Sequence, residues 1–332
     1  MRIKTIALFA TLGFAACSQE PAVEESAAIS YPKSATVDHV DTYHGTEVAD
    51  PYRWLENDVR ESDDVSNWVG SQNEVTFAYL SAIEERALIE QRLTKLWDYE
   101  RYGLPRKEGG RYFYSHNNGL QNQSVIYTQT SLDHEADLLI DPNTWSEDGT
   151  VALASYFPSP DGMYVAYLVQ DGGSDWRVGE VLNVETEEKL TDRLEWLKFT
   201  GLSWAGDSSG FYYSRYPATS EEGKFQSLNK DMKVWFHRVG TSQDDDELVY
   251  GAPGHPDWGP RASVTEDGNH LVITISVGTD SRYSIVYKDL TDPQSGFKTI
   301  IEGFDYDYSL IGNIGDDLYF RCLLYTSDAA DE

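Results

Sequence analysis

The stretch Asp161-Gly162-Met163-Tyr164-Val165-Ala166-Tyr167 joins a turn to an aromatic, apolar strand, and four further stretches repeat this arrangement. Their strands start at Tyr112, Phe211, Leu271 and Leu318. Successive starts lie 52, 47, 60 and 47 residues apart, and most follow a turn built on Gly or Asp. Short runs rich in Val, Ile, Tyr, Phe and Trp between such turns are typical of hairpin-connected strands.

A repeat of about 50 residues with about four short strands in each is typical of a β-propeller blade. A β-sandwich, the rival fold, would show turns about every 8 to 12 residues without a long repeat. Five blade starts follow residue 102, and the fifth is cut short. Because propellers close into rings of about 4 to 8 blades, the sequence predicts a mainly β fold with an incomplete propeller over residues 102–321.

The segment before the propeller has a helical pattern. From Asp64 to Tyr99, apolar residues recur at spacings of three and four among Glu, Gln and Arg. This pattern predicts one long or two short amphipathic helices, with Asp63 and Asp64 as capping residues. We therefore expect an N-terminal helical segment over residues 31–101.

The N-terminus has the features of an export signal. A basic start, a short apolar run and small residues before Cys17 predict a signal peptide over residues 1–17, and the run is too short for a spanning helix. Phe14-Ala15-Ala16-Cys17 resembles a bacterial lipobox, with Phe where Leu is usual. We therefore expect lipidation at Cys17 and a periplasmic, membrane-anchored protein, with ordinary secretory cleavage as the alternative. Residues 18–30, rich in Glu, Ala and Ser, are expected to form a flexible tether.

The C-terminal end breaks the β-pattern. Residues 322–332 match, over their whole length, the translation of a common transposase sequencing adapter. We therefore expect these residues to be a sequencing scar outside the fold, and the natural protein to continue beyond Arg321. A natural acidic tail is the alternative.

Composition limits the classes of function. The chain has 332 residues, with 26 Lys+Arg against 56 Asp+Glu, and a formal charge of −30. Such a surface repels phosphate backbones, which excludes nucleic acid as a partner. The 40% hydrophobic and 13% aromatic fractions exclude wholesale disorder. The two cysteines, Cys17 and Cys322, predict no disulfide framework.

One motif could hold a serine nucleophile. Gly206-Asp207-Ser208-Ser209-Gly210 matches G-x-S-x-G, which exposes its serine when a strand precedes it and a helix follows it. Here the strand-like Phe211-Tyr212-Tyr213 follows. The motif is therefore predicted to be a hairpin turn, and Ser208 is not assigned as a nucleophile.

Other polar residues predict no site. The seven histidines show no zinc-like spacing, and Asp244-Asp245-Asp246-Glu247 lacks the ligand pattern of a calcium loop. We interpret the acidic run as a solvated turn and His237 as a half-exposed packing residue in a strand. From the residues alone we predict no catalytic constellation, no metal site and no cofactor.

Several motifs together resemble the prolyl oligopeptidase (prolyl endopeptidase) family of serine peptidases. Asp50-Pro51-Tyr52-Arg53-Trp54-Leu55-Glu56, after His44-Gly45, looks like the family's N-terminal hallmark. Further matches follow in family order at Asn118-Gly119-Leu120-Gln121-Asn122-Gln123, Asp141-Pro142-Asn143-Thr144, residues 148–153, Gly173-Ser174-Asp175-Trp176 and residues 197–204. The similarity spans about residues 31–321.

The resemblance implies a seven-bladed propeller that caps a C-terminal α/β-hydrolase domain, with the N-terminal helices packed on that domain. It implies serine acyl transfer that cleaves short peptides after proline, with a triad that follows the propeller in chain order. The triad would lie beyond Arg321, so we expect an N-terminal fragment that lacks the hydrolase domain, carries no catalytic residue and is inactive alone. In the family, the aromatic residue of a Lys-Phe pair forms a wall of the substrate cavity. The matching pair here is Lys198-Phe199, so the resemblance implies that Phe199 binds substrate. A core aromatic is the alternative.

The resemblance also implies that the propeller acts as a size filter, which admits short peptides and excludes folded proteins. The expected partners are short proline-containing peptides and the hydrolase domain in cis. The full-length protein is expected to be a monomer that meets the membrane only through its lipid anchor. A non-catalytic propeller module that binds peptides or proteins is the alternative function.

Overall fold

The computed structural model describes residues 29–219 and 227–323. Antiparallel strands dominate, and the chain divides into a unit that ends at Leu88 and a unit that begins at Ile89. No helix within the described ranges is long and apolar enough to cross a membrane. The predicted signal peptide, with Cys17, and residues 18–28 of the predicted tether lie outside the described residues.

The first unit contains a hairpin, a 3₁₀-helix and a long helix. Its elements are β1 (Val40–Tyr43), β2 (Thr46–Ala49), the 3₁₀-helix Arg53–Glu56 and α1 (Asp63–Ser81), while α2 (Arg86–Trp97) runs across the unit boundary. Two short helices therefore form rather than one long one. The Ser62 hydroxyl, and not Asp63 or Asp64, caps α1, because it accepts a hydrogen bond from the backbone N–H of Val65 at 3.4 Å. The two aspartates lie in the first turn, where they favour the helix dipole.

The aromatic segment from Asp50 to Glu56 is organised by one arginine. The Arg53 guanidinium forms ion pairs with Asp41, with Asp50 at 3.1 Å and with Glu56 at 2.6 Å. Asp41 lies on β1, so these contacts hold the hairpin to the 3₁₀-helix. Arg53 therefore has a structural role inside the first unit.

The second unit contains five antiparallel sheets in chain order. Sheet 1 contains β3 (Arg101–Tyr102), β4 (Arg106–Glu108), β5 (Arg111–Asn117), β6 (Val125–Gln129) and β7 (Asp137–Ile140). Sheet 2 contains β8 (Val151–Pro158), β9 (Tyr164–Asp171), β10 (Arg177–Asn183) and β11 (Lys189–Leu197). Sheet 3 contains β12 (Leu202–Trp204), β13 (Gly210–Arg215), β14 (Lys233–Arg238) and β15 (Glu247–Tyr250). Sheet 4 contains β16 (Trp258–Val264), β17 (His270–Val277), β18 (Ser284–Asp289) and β19 (Lys298–Ile301), and sheet 5 contains β20 (Asp307–Ile314) and β21 (Asp317–Leu323).

The strand pairing is that of propeller blades. In sheets 2, 3 and 4, four strands pair in the order of the sequence, each with its chain neighbour. Sheet 1 begins at Arg101, one residue before the predicted start of the propeller. The prediction of a mainly β fold with a partial propeller and five blade starts, the fifth with two strands, is confirmed.

Consecutive sheets pack face to face through separate apolar cores. Between sheets 1 and 2 the buried residues include Phe113, Ile126, Val165 and Leu182. Between sheets 2 and 3 they include Leu168, Leu194, Phe211 and Tyr213, and between sheets 3 and 4 they include Val234, Leu271, Ile273 and Val286. Each fully buried side chain of this kind contributes roughly 1.5–3 kcal/mol to the free energy of unfolding. Since each core lies between two neighbouring sheets, the stability of each sheet comes mainly from packing against the adjacent sheets.

The first hairpin turn of every sheet lies at one end of the strands, and we call the five turns together the turn arc. They join β4 to β5, β8 to β9, β12 to β13, β16 to β17 and β20 to β21. The Gly and Asp residues that precede each strand predict these five turns, and the predictions are confirmed.

Two neighbouring pairs in the turn arc approach so closely that they need glycine. A Cβ atom added to Gly109 would lie 1.7 Å from the carbonyl oxygen of Asp161. A Cβ atom added to Gly206 would lie 2.9 Å from the Cα atom of Gly268. Both distances are shorter than a non-bonded carbon contact allows, so the backbones themselves touch.

Hydrogen bonds join the remaining neighbours in the turn arc. The backbone N–H of Asp161 donates to the Ser208 hydroxyl at 3.1 Å, and the side-chain amide of Asn313 donates to Asp267 at 2.7 Å. Ser208 lies between β12 and β13, is buried, and has a left-handed backbone conformation with φ of +59°. The G-x-S-x-G motif is therefore a hairpin turn, as predicted, and its serine contacts a neighbouring turn.

The side-chain amides of two glutamines form paired hydrogen bonds with the backbone of a neighbouring sheet, as a strand would. The Gln123 side chain accepts from the N–H of Leu153 at 3.0 Å and donates to the carbonyl of Val151 at 2.8 Å. The Gln243 side chain makes the same pair of bonds with the backbone of Glu195, at 3.0 and 3.1 Å. Each bond contributes about 0.5–1.5 kcal/mol, so these side chains tie sheet 2 to both of its neighbours.

The last strand extends beyond the predicted end of the fold. β21 runs through Leu323, with Cys322 opposite Tyr308 and Leu323 opposite Asp307. The prediction that all of residues 322–332 lie outside the fold is therefore wrong for the first two, because pairing continues to the first residue of β20. Residues 324–332 lie outside the described residues, and their origin as a scar stays a prediction.

Candidate functional site

The second unit has an open cavity of about 460 Å³ at the ends of sheets 3 and 4. Phe199, just before β12, and Tyr216, just after β13, line one side. Trp258 and Arg261 on β16 and the loop that follows β17 line the other. The turn arc lies at the opposite ends of these strands. The volume falls in the range of about 300–1,000 Å³ that is usual for small-ligand sites.

Phe199, the substrate-binding residue implied by the family resemblance, lies on the wall of this cavity. Its side chain is 43% exposed, so the alternative that Phe199 is a core aromatic is wrong. The Arg261 Nε–H donates to the Phe199 carbonyl at 2.8 Å and fixes the backbone that carries the ring.

Three residues in or beside the cavity hold a strained backbone. Trp196, Phe199 and Asp231 have φ of +64°, +54° and +60°, a left-handed region that residues other than glycine seldom adopt. Each such residue costs about 1–3 kcal/mol and persists where its surroundings hold it. The N–H of Tyr216 donates to the Trp196 carbonyl at 3.0 Å, and the N–H of Asp231 donates to the Pro256 carbonyl at 2.7 Å. Strain of this kind concentrates at binding sites, which favours this cavity as the functional site.

Lys198 is held beside Phe199 by aromatic and polar contacts. Its ammonium nitrogen lies 4.6 Å from the centre of the Trp176 ring and 5.6 Å from that of Phe199. It also donates to the Asn229 side chain at 3.1 Å. Cation–π contacts of about 0.5–2 kcal/mol therefore keep a positive charge close to the aromatic wall.

Negative charge at the cavity is neutralised by local partners. Asp257 lies 3.6 Å from the Lys230 ammonium, and Asp280 pairs with Arg282. The hydrogen bond from Arg282 lowers the pKa of Asp280 to about 2. Asp280 is therefore ionised at neutral pH, and both carboxylates lie beside local cations.

Positive charge at the cavity is not neutralised in the same way. Within the described residues, neither Lys198 nor Arg261 has a carboxylate within 4.0 Å. Arg261 Nη1 donates to the Ser276 hydroxyl at 3.2 Å, and Nη2 makes no hydrogen bond within the described chain. Arg261 and Ser276 could not be predicted from the sequence, because nothing in the strand pattern indicates that β16 and β17 border a cavity.

His237 is fully buried between sheets 2 and 3, so its interpretation as a half-exposed packing residue is wrong. Its ring lies 2.7 Å from Asp246 and 3.0 Å from Asp192, a residue on β11. Burial alone would lower the pKa of His237, but the hydrogen bonds with the two aspartates raise it to about 9. The protonated ring therefore donates to both carboxylates at neutral pH and has no nitrogen left to activate a serine.

The acidic run from Asp244 to Glu247 is not a wholly solvated turn. The Asp246 side chain is fully buried and also accepts a short hydrogen bond from the Tyr213 hydroxyl. Asp244, Asp245 and Glu247 are exposed, as predicted. Asp246 differs because the imidazolium of His237 supplies a buried positive partner. No metal-binding cluster of three or more His, Cys, Asp or Glu occurs in the part of the chain that the structure describes.

Comparisons with known proteins agree on one family. Residues 32–323 match the family described as "Prolyl oligopeptidase, N-terminal beta-propeller domain". The chain is 38% identical to a prolyl endopeptidase of Elizabethkingia meningoseptica, over 93% of this chain and 43% of that protein. It is 34% identical to prolyl oligopeptidase A of Amanita bisporigera, over 88% of this chain and 42% of that protein. The chain thus spans less than half the length of these relatives.

Solved structures show the same similarity. A structure from a study of two prolyl endopeptidases is 39% identical with a TM-score of 0.63, over 88% of this chain and 42% of that one. Prolyl oligopeptidase B from Galerina marginata, bound to a 35-residue hydrolysis and macrocyclization substrate, is 28% identical with a TM-score of 0.73, over 89% of this chain and 44% of that one. The sequence match, the sheet order and the blade pairing agree, and the chain belongs to the prolyl oligopeptidase family through its N-terminal β-propeller domain.

Proposed function

We propose that this chain is the N-terminal and propeller part of a serine peptidase that hydrolyses short peptides after proline. The observation that carries the proposal is the cavity walled by Phe199 in a chain of this family. A related enzyme is described with a peptide substrate bound, which supports a peptide as the ligand. Phe199 contributes a flat apolar surface for a peptide side chain or proline ring.

The chemical step belongs to a hydrolase domain in cis. In this proposal a serine of that domain attacks the peptide carbonyl, a histidine accepts its proton and later donates it to the leaving amine, and an aspartate orients the histidine. No residue of the described chain has a part in that relay. Exposed apolar side chains on the helices, including Phe77 at 60%, Leu88 at 67% and Trp97 at 57%, support a covering domain.

The first test is the activity of the 332-residue chain itself. It should show no hydrolysis of a glycyl-prolyl reporter, whereas the full-length gene product should cleave it. Circular dichroism of the chain checks that the strands are formed. Turnover by the purified chain would contradict the assignment, and tight binding of peptides without turnover by the full-length product would favour the non-catalytic module.

The second test concerns Phe199 in the full-length gene product. Phe199→Ala should raise KM for a short proline-containing peptide roughly 5- to 30-fold, because removal of a buried aromatic contact costs about 1–2 kcal/mol. Leu132→Ala, at an exposed loop residue, is the matched control and should leave KM unchanged. Equal kinetics for both variants would remove Phe199 from the substrate site.

We further propose that the propeller acts as a size filter on a monomeric periplasmic lipoprotein anchored through Cys17. A proline-containing peptide should be cleaved when free and resist cleavage when the same residues lie inside a folded protein. Equal cleavage of both forms would contradict the filter. Labelling with a radioactive fatty acid, lost in Cys17→Ser, tests the anchor.

A further inference from the structure

The cavity has Phe199 and Arg261 on its lining and Lys198 beside it, and neither cation has a carboxylate within 4.0 Å among the described residues. Both cations contact Phe199, since Lys198 lies near its ring and Arg261 donates to its carbonyl. The nearby carboxylates of Asp257 and Asp280 are already paired with other cations. This local positive charge occurs in a chain whose formal charge is −30.

We infer that the cavity binds a carboxylate of an acidic peptide beside Phe199, through Lys198 and Arg261. The inference rests on the proposed peptidase function and adds a preference to it.

The geometry of Arg261 suits a carboxylate. Its Nε and Nη1 atoms are fixed by Phe199 and Ser276, so the guanidinium is held in place before a ligand arrives. Its Nη2 atom donates to no acceptor among the described residues and can donate to a carboxylate oxygen. Hydrogen bonds from a charged donor to a carboxylate are about twice as strong as neutral ones, and a fixed donor loses little entropy on binding.

The formal charge of −30 opposes the binding of an acidic peptide elsewhere on the chain. A negatively charged surface repels an acidic peptide, so the cations Lys198 and Arg261, unpaired within the described residues, are where such a peptide is attracted. Thr279 and Ser281, which line the cavity, offer hydroxyl donors to the same group.

The test uses the full-length gene product and four peptides of equal length. Each peptide contains one proline, with either Glu or Gln in the residues before it, and ends in a free acid or an amide. We expect kcat/KM to be about 5- to 10-fold higher for the Glu peptide than for the Gln peptide at low salt. A preference that follows the side chain identifies glutamate as the source of the carboxylate, and one that follows the free acid identifies the C-terminus.

Variants separate charge from structure. Lys198→Gln and Arg261→Gln should each reduce the preference at least about threefold while the Gln-peptide amide is still cleaved, and Arg261→Lys should retain most of it. Lys298→Gln removes an exposed cation of β19, outside the cavity, and should leave the preference unchanged.

The outcomes distinguish this inference from the function on which it rests. Cleavage of all four peptides with equal kcat/KM would overturn the carboxylate site and leave the peptidase intact. Failure to cleave any of them would overturn the peptidase. A preference that survives both glutamine variants would also overturn the assignment to Lys198 and Arg261.

Discussion

At the scale of single residues, His237 is the position where burial of a charged side chain most needs compensating partners. Its protonated ring lies between two carboxylates in an environment with no exposure to solvent. The buried group is tolerated there because each ring nitrogen donates to a carboxylate oxygen, and because the N–H of Gly240 donates to Asp192 at 2.7 Å. The group links β11 of sheet 2 to β14 of sheet 3.

Removal of the cation should be costly. His237→Ala leaves Asp192 and Asp246 buried without their partner, and we expect the free energy of unfolding to fall by roughly 3–5 kcal/mol. Urea denaturation of the chain, followed by tryptophan fluorescence, measures this change. The matched control is His134→Ala, at an exposed histidine, which should change stability by less than about 0.5 kcal/mol. Similar values for the two variants would show that the buried charges are dispensable.

The sequence could not predict this group because its members are far apart in the chain. Asp192 and His237 are 45 residues apart, and they meet because sheets 2 and 3 pack face to face. Alternation within β14 indicates that His237 faces one side of a sheet, but it does not indicate what lies opposite. The same limit applies to Arg261, whereas Phe199 could be predicted because it lies in a motif of the family.

At the scale of elements, the turn arc shows what local sequence can and cannot specify. Gly and Asp before each strand start predict a turn, since these residues favour turn conformations. The contacts between successive turns could not be predicted from local sequence. Gly206, for example, does not have a positive φ that its own turn would require. It needs space, which Gly268 of the next sheet leaves free.

This contact predicts the effect of a single methyl group. Gly206→Ala should lower the free energy of unfolding by about 1–3 kcal/mol, because the added carbon can be accommodated only if a backbone moves. Gly296→Ala is the matched control, since a Cβ atom there would have no neighbour within 4 Å. Thermal melts of both variants measure the difference. A melting temperature for Gly206→Ala equal to that of the control would mean that the turns do not touch in solution.

At the scale of the whole molecule, the free energy of unfolding should depend on pH through His237, which links sheets 2 and 3. The pKa of His237 is about 9 in the folded chain and about 6.5 when unfolded. A raised pKa stabilises the fold fully below about pH 6.5, and this contribution is lost as the pH rises through 9. We therefore expect a loss of about 3 kcal/mol in the free energy of unfolding between pH 6.5 and a pH well above 9.

Urea denaturation at a series of pH values measures this dependence. His237→Gln, which cannot take up the proton, should show a flatter profile over the same range. If the unchanged chain and the variant lose stability in parallel, then the titration belongs to other groups.

The turn arc has a consequence for how this fold tolerates change over evolution. The apolar cores between sheets are made of side chains, and a larger residue on one face can be offset by a smaller one opposite. A contact between two backbones offers no such exchange, since its distance does not depend on which side chains are present. The close contacts at Gly109 and Gly206 therefore act as fixed spacers between sheets. The side chains of the cores can change while these contacts still set the angle from one blade to the next.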